Sequence, residues 1–386
     1  SGFMGTAFGN DGAVIRLLSH HQGMVISADL PSGMEANTGQ INGPCVKANY
    51  TLTFGLPKLG LYRDPDHEHS GQIEIVDIGL PCDLGEEESL KVELIHPSWA
   101  FEKIPVRKRD SHKGRYGHVF VVGGSPGMTG AVTLACQAAL ANGSGLVTAG
   151  VPASLNHIME VKLTEVMTKP LPEIQPGDFS QAAGNSILDF LTKASALVIG
   201  PGMGTHWSGK ELLNSILPQV RVPMVIDADG LNLVAEILKE RSGFFKCLSL
   251  PVVLTPHPGE MARLTGLSIE EIESDRVGVA MRYAQEWQCS IVLKGAYTVI
   301  ASPTGRAYLN TKGNAGMATA GSGDVLAGII GSFIGQGMES FSAAALGVYL
   351  HGISGDLASE GGMEGVCASH LIENLSGAFR TVRLGL

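Results

Sequence analysis

The sequence predicts an α/β protein in two parts, the larger of them a doubly wound sheet. Three observations predict it. Short apolar runs recur from about residue 96 onward, each closed by glycine and followed by helical spacing, which is the pattern of βαβ units. The 386 residues exceed what one core usually holds, roughly 250 to 300, so two domains are expected. The 51 glycines imply many tight turns or backbone-lined sites.

Residues 1 to about 80 alternate the strand-like runs GMVISADLPSG, ANYTLTFGLPKLG and GQIEIVDIGLP with turn residues, as part of a parallel α/β sheet does. PCDLGEEESLKVEL follows, an acidic stretch without clear periodicity. It reads as a connection at 83–95 between domains at 1–82 and 96–386. Beyond it, HVFVVGGSPGMTGAVTLACQAALANG, ALVIGPGMG, PMVIDADGLNLVAEIL, PVVLTPHPGEMARLTG and SIVLKGAYTVIAS supply the strands, glycine turns and helices of the sheet. Residues 323–335, 340–358 and 366–378 read as three successive helices. No low-complexity tract or short repeat interrupts the pattern.

Composition narrows the function classes. A formal charge of −10, with one short basic stretch at 107–115, argues against nucleic acid or an anionic membrane as a partner. Six scattered cysteines form no CxxC pair and no zinc spacing, so a reduced, cytoplasmic setting is the default. No run approaches the ~18 apolar residues of a membrane span, and no basic-then-apolar signal opens the chain. Ser1 in place of Met reads as a fragment or a processed form.

In open parallel sheets ligands sit beyond the carboxyl ends of the strands, so the glycine loops there are the candidate sites. In GNAGMATAGSGDV, 313–325, Gly313, Gly316, Gly321 and Gly323 let backbone N–H groups converge at a helix start, as a phosphate-binding turn requires. Asp324, in the first helical turn, reads either as a dipole partner or as a catalytic base or magnesium contact. VLKGAYTVI places Lys294 and Gly295 just after a strand, for a nucleotide edge or an ordinary β-turn. His257, between two prolines in TPHPGEMARL, reads as a ligand contact or a structural hydrogen-bonder, with Glu260 in the following turn. VVGGSPGMTGA, 121–131, and VIGPGMG, 198–204, complete a cleft for two phosphate-bearing ligands. Asp227 and Asp229 in IDADGLN lie at a strand end; the first reads towards magnesium or substrate, the second towards helix capping. In the N-terminal part, Asp29 and Ser32 of SADLPSG close a strand at a proline turn.

With these residues in place, the chain resembles the bifunctional NAD(P)H-hydrate repair enzymes, which join an epimerase domain to a dehydratase domain. HKGRYGHVFVVGGSPGMTGA, GPGMG, DADGLN, TPHPGEMARL, LKGAYTVI and GNAGMATAGSGDVLAGII match the dehydratase domain in order over roughly 96–386. The resemblance implies a ribokinase-like fold preceded by a partial Rossmann-like epimerase domain. It implies that Ala131, Gly204, His257 and Asp324 contact the hydrated nicotinamide dinucleotide, with Asp324 catalytic. Lys294, Gly295, Ala296, Tyr297, Thr298, Asn314, Gly321 and Gly323 would hold the adenine nucleotide. AGSGD stands where the family often has GGTGD; Ala320 and Ser322 remain small.

Residues 1 to about 80 resemble only the second half of the epimerase domain, since the family's NGGDG loop has no counterpart here. By the resemblance Asp29 contacts the epimerase substrate and Ser32 contacts potassium. MGTAFG stands for the family's FGTG turn, and Ser1 lies about where a potassium-holding aspartate is expected. The implied activity is ADP-dependent dehydration of (6S)-NAD(P)H hydrate, with ADP or ATP and Mg2+ as cofactors, K+ in the epimerase part, and a homo-oligomeric assembly. Epimerase activity is left in question. A ribokinase-like kinase of a small vitamin-precursor alcohol uses the same turn and base and is the alternative; a non-catalytic nucleotide-sensing module is a third reading.

Overall fold

The structure, a computed structural model, describes residues 9–18, 20–63, 68–81 and 90–385. Ser1, most of the MGTAFG turn and the acidic stretch 82–89 lie outside the described residues. The chain divides into two compact units, Ser1–Lys91 and Val92–Leu386.

The smaller unit has helix α1 (Gly9–Leu18) and a parallel three-stranded sheet of β1 (Ile26–Ala28), β2 (Tyr50–Phe54) and β3 (Gln72–Val76), in that spatial order. Along β2 the β-branched Thr51 and Thr53 are fully buried while their neighbours are not, the period of two that a half-covered strand imposes. Leu61, Met34 and Cys45 pack together as a small core below the turn that follows β1.

The larger unit holds strands β4 (Val92–Leu94), β5 (His118–Val122), β6 (Leu146–Pro152), β7 (Met167–Leu171), a short ribbon of β8 (Glu173–Gln175) and β9 (Asp178–Phe179), β10 (Ala196–Ile199), β11 (Met224–Ile226), β12 (Val252–Leu254), β13 (Ser290–Leu293), β14 (Val299–Ala301) and β15 (Ala307–Leu309). All but the ribbon form one ten-stranded sheet in the order β4-β15-β14-β13-β12-β11-β10-β5-β6-β7. β14 alone runs against the rest, because short turns on both sides of it, after β13 and before β15, make two antiparallel hairpins where the other neighbouring strands pair in parallel. β4 falls within the stretch read from sequence as a connection and pairs with β15 at the sheet edge.

Helices fill the connections: α2 (Pro97–Lys103), α3 (Thr129–Ala141), α4 (Asn156–Lys162), α5 (Ala183–Leu191), α6 (Trp207–Ile216), α7 (Asp229–Glu240), α8 (Pro258–Thr265), α9 (Ile269–Ser274), α10 (Arg276–Trp287), α11 (Ser322–Gly335), α12 (Ser340–Ala358), α13 (Ala368–Glu373) and α14 (Leu375–Leu384). Val119, Val121, Val198, Val225, Val253 and Val292 share one core with α3, α11 and α12. The alternate residues Phe120, Leu197, Ile199 and Leu254 are equally buried on the opposite side. Burial on both faces is why these strands read as unbroken apolar runs.

The third C-terminal helix expected over 366–378 is instead two, α13 and α14. Asn374 sits between them, and its side-chain amide donates to the carbonyl of His370 at 2.9 Å, competing there with its own backbone N–H at 3.1 Å, which interrupts the regular helical bonding.

After β5 the chain adds β6 and β7 on one side, then returns to place β10 on the other. That reversal opens a crevice beyond the carboxyl ends of β5 and β10, where open α/β sheets take their ligands.

Candidate active site

Helix α11 begins at the turn in question. Gly321 precedes it with φ 89°, a left-handed value that favours glycine, and Asp324 falls in the first turn. From Val325 to Gly335 every residue is buried, so α11 is apolar on all sides and its polar end is the only part open to a ligand. The small residues have a packing cause: a Cβ at Gly328 would lie 2.1 Å from the carbonyl oxygen of Ala135 in α3, and one at Gly331 would lie 2.3 Å from Val198. Glycine lets the helix sit directly on its neighbours.

Asp324 faces a cluster of buried charge built by the loops after β11, β12 and β13. Lys294 reaches Asp227 at 2.9 Å and Glu260 at 3.7 Å, and the two carboxylates are only 1% and 6% exposed. Thr255 donates its hydroxyl to the same Asp227 oxygen at 2.6 Å. A Cβ on Gly323 would lie 3.3 Å from the Lys294 ammonium, which therefore stands at the mouth of the α11 turn. Burial works against the charge of Lys294, yet Asp227 and Glu260 outweigh it and raise its pKa. Burial pushes Glu260 up, with Lys294 opposing. Asp324 is pushed up to about 7, first by burial and then by the charge of Asp227, against the pull of Lys294. A carboxyl group with that value changes hands with a proton near neutrality, as a general base must.

His257 caps α8. Its Nδ1 accepts from the N–H of Gly259 at 3.0 Å, while the His257 N–H donates to Glu260 at 2.8 Å. With Nδ1 an acceptor, the ring proton sits on Nε2, 3.5 Å from Glu260, and half of the side chain remains exposed. Burial and the neighbouring Lys294 hold the imidazole below its ordinary pKa, so it faces the site as a neutral donor.

At the crevice, the loops after β5 and β10 interlock. The N–H of Gly124 donates to Pro201 at 2.9 Å, and a Cβ on Gly202 would lie 3.1 Å from that of Ala131, at the start of α3. Gly204 donates its N–H to Asp229 at 2.9 Å, tying this loop to α7.

Two comparisons decide the family. A family profile described as NAD(P)H-hydrate dehydratase matches residues 119–376, and one described as YjeF-related protein N-terminus matches residues 1–60. The bifunctional NAD(P)H-hydrate repair enzyme of Moorella thermoacetica is 46% identical over 383 residues, covering 99% of this chain and 72% of that one. The chain belongs to the bifunctional NAD(P)H-hydrate repair enzymes. The Escherichia coli member is 35% identical over 94% of this chain and 67% of its own. The ADP/ATP-dependent NAD(P)H-hydrate dehydratase from Bacillus subtilis, co-crystallized with ATP/Mg2+, matches with a TM-score of 0.63 at 27% identity, covering 75% of this chain and 99% of that one. A ribokinase-like superfamily protein from Enterococcus faecalis gives 0.66 at 27% identity, over 76% and 96%. The larger unit is thus a ribokinase-like dehydratase.

Within this dehydratase, Asp324, Gly323, Lys294 and His257 meet around the charge cluster, while at the crevice Ala131 lies against Gly202 and Gly204, two residues on, lies near Ser125. Gly295, Ala296, Tyr297 and Thr298 form the turn between β13 and β14, closed by the Thr298 hydroxyl donating to the Gly295 carbonyl at 2.9 Å. Asn314 has its side chain engaged. It donates to Asp356 at 2.9 Å and accepts from Gly316 and Ser359, and its backbone carbonyl accepts from Met317 at 3.1 Å, so its backbone N–H is what is left for a ligand among the described residues. Glu260 was visible in the sequence as a first-turn acid and Asp227 as a strand-end acid, but their sharing of Lys294 depends on three loops meeting in space. Asp229 enters as the acceptor that fixes Gly204 and not as a plain cap.

In the smaller unit Asp29 directly follows β1 with φ 70°, unusual for a residue with a side chain. Its carboxylate accepts from the N–H of Phe54 at 3.1 Å and pairs with Lys58. Burial would raise its pKa, but Lys58 and that N–H hold it below the ordinary range. Ser32 is exposed, and its carbonyl accepts from Val46 at 2.9 Å.

Proposed function

We propose that the chain dehydrates (6S)-NAD(P)H hydrate at the expense of ADP through Asp324, with the dehydratase domain at 96–386, a partial epimerase domain at 1–82 and a connection between them. The observation that carries this reading is the site of Asp324: a buried acid with its pKa pushed up to about 7, in the first turn of a helix opened by glycines. The hydrate lies in the crevice against Ala131, Gly204 and His257. The nucleotide lies along 294–298, with its terminal phosphoryl group at the N–H groups of Gly321, Ser322, Gly323 and Asp324. Asp324 takes the proton of the substrate hydroxyl as that oxygen attacks the terminal phosphorus of ADP, and AMP leaves. The turn's N–H groups stabilise the charge that develops on the phosphoryl oxygens. The ring nitrogen's electron pair then expels phosphate by breaking the carbon–oxygen bond, and loss of a proton from the adjacent ring carbon restores the reduced nicotinamide.

Mg2+ fits this site. Asp227, Glu260 and Asp324 place more negative charge here than Lys294 balances, and Mg2+ is normally held by one or two carboxylates together with phosphate oxygens. Asp227 and Glu260 would hold it, and it would neutralise phosphate charge. Among the described residues no group of three or more His, Cys, Asp or Glu is arranged as a metal cage. ADP is the preferred donor and both NADH and NADPH hydrates are accepted. The reaction is placed in the cytoplasm, where these coenzymes and ADP meet, and the assembly is a homo-oligomer. Among the described residues no helix is long and apolar enough to cross a membrane. The epimerase half of the reading belongs to the smaller unit, with Asp29 on substrate and K+ at Ser32.

The test is direct: protein, hydrated NADH, Mg2+ and either ADP or ATP are mixed, and nicotinamide absorbance and free phosphate are followed. Recovery of absorbance with stoichiometric phosphate is expected. A stable phosphoester without recovered absorbance would replace this reading with a small-molecule kinase.

A further inference from the structure

We infer that Arg276 is the positioning residue of the nucleotide turn, an inference that rests on the proposed placement of ADP along 294–298. Arg276 opens α10, far from the glycine motifs. Its Nη2 donates to the carbonyls of Leu293 and Lys294, both at 3.0 Å, and its Nη1 is anchored to Glu273 at 3.0 Å. The side chain is only 15% exposed, and its Nε is buried with no hydrogen-bond partner among the described residues. A planar fork that grips two successive carbonyls fixes the peptide planes on which they lie.

The consequence follows from peptide geometry. In a trans peptide the carbonyl and the next N–H point in opposite directions. The Leu293 carbonyl turned towards Arg276 sends the Lys294 N–H the other way, where it donates to Pro256 at 2.8 Å. The Lys294 carbonyl turned the same way sends the Gly295 N–H outward. Gly295 is exposed, and among the described residues its N–H donates to no other group. Gly295 itself is dictated by the guanidinium, since a Cβ there would lie 2.6 Å from Nη2, and its φ of 152° is one that side chains rarely adopt. Arg276 therefore presents one backbone donor, on an open turn, to an oxygen of the nucleotide without touching the nucleotide itself.

Calorimetric titration of the full chain with ADP, beside steady-state kinetics and thermal unfolding, tests this. Arg276→Gln and Arg276→Lys are expected to weaken ADP binding, and to raise KM for ADP, by roughly tenfold. KM for the hydrate, and kcat at saturating ADP, should stay within roughly threefold. Glu273→Gln loosens the anchor without touching the turn and should weaken ADP by about threefold, which keeps the inference testable if Arg276 variants unfold. A folded Arg276 variant that binds ADP as the parent does, or loses affinity for both substrates equally, overturns it. Should the parent bind ADP and the variants lose it while no hydrate is repaired, the reaction assigned above fails and the role of Arg276 stands.

Discussion

Asp324 owes its proposed role to the company it keeps, and its proton titration is where that company can be read. Its pKa is pushed up to about 7, so kcat/KM should climb with unit slope as pH rises and level off above about 7. The stability consequence has the opposite sense to a paired carboxylate. Because the folded protein holds this proton more tightly than the unfolded chain, stability attached to Asp324 is lost as pH rises from the ordinary carboxylate range through about 7. Asp324→Asn should therefore abolish turnover, leave ADP binding largely intact, and raise the unfolding midpoint at pH 8 but not at pH 4. Thermal scans at the two pH values, beside the absorbance assay, check both parts; an Asn variant that repairs hydrate at the parent rate removes Asp324 from the mechanism. The sequence displayed Asp324, because an acid among glycines at a helix start is a local pattern. It did not display the cluster that tunes it. Asp227, Glu260 and Lys294 are separated by 33 and 34 residues, and only the adjacency of β11, β12 and β13 brings them together.

At the scale of elements, α11 couples stability to the site. Two glycines, Gly328 within it and Gly321 just before it, do different things, and substitution separates them. Gly328 is helical, and glycine there is intrinsically unfavourable, but an added methyl group would meet the backbone of α3 at 2.1 Å. Gly328→Ala should cost about 1–3 kcal/mol through overpacking and lower the unfolding midpoint, with activity of the folded fraction changed less. Gly321→Ala meets a different obstacle. Its φ of 89° strains any side chain, and the turn it deforms is the one proposed to hold phosphate. Turnover should fall by at least ~100-fold even where the variant remains folded. Urea titration with the hydrate assay distinguishes them, and equal losses of activity per folded molecule would refute the division. The helical reading of 323–335 and 340–358 came through because apolar spacing is continuous there. The break at Asn374 was hidden, since it turns on one side-chain amide bonding backward and not on any lost periodicity.

For the whole molecule, the order of strands was beyond sequence reading although the βαβ pattern was not. Apolar runs followed by glycine announce each unit, but which side of β5 receives β10 is a matter of packing, and that choice creates the crevice. The same physics predicts how the two units divide the work. Every residue placed in dehydration, from Ala131 to Asp324, lies in Val92–Leu386, which has its own sheet and its own buried core. The smaller unit leaves much apolar surface open: Leu17 is 73% exposed, Met24 68%, Ile78 55% and Ile26, on edge strand β1, 53%. Exposed apolar side chains beside a strand whose outer edge is open among the described residues favour association. Residues 92–386 produced alone should fold, unfold cooperatively and repair hydrate with kcat/KM within roughly threefold of the full chain. In sedimentation runs over a range of concentrations, the shorter protein should associate less than the full chain. If the shorter protein is inactive though folded, the smaller unit contributes to the dehydratase site; if both associate alike, the contact lies on the ribokinase-like unit and the apolar surface of the smaller one does not drive assembly.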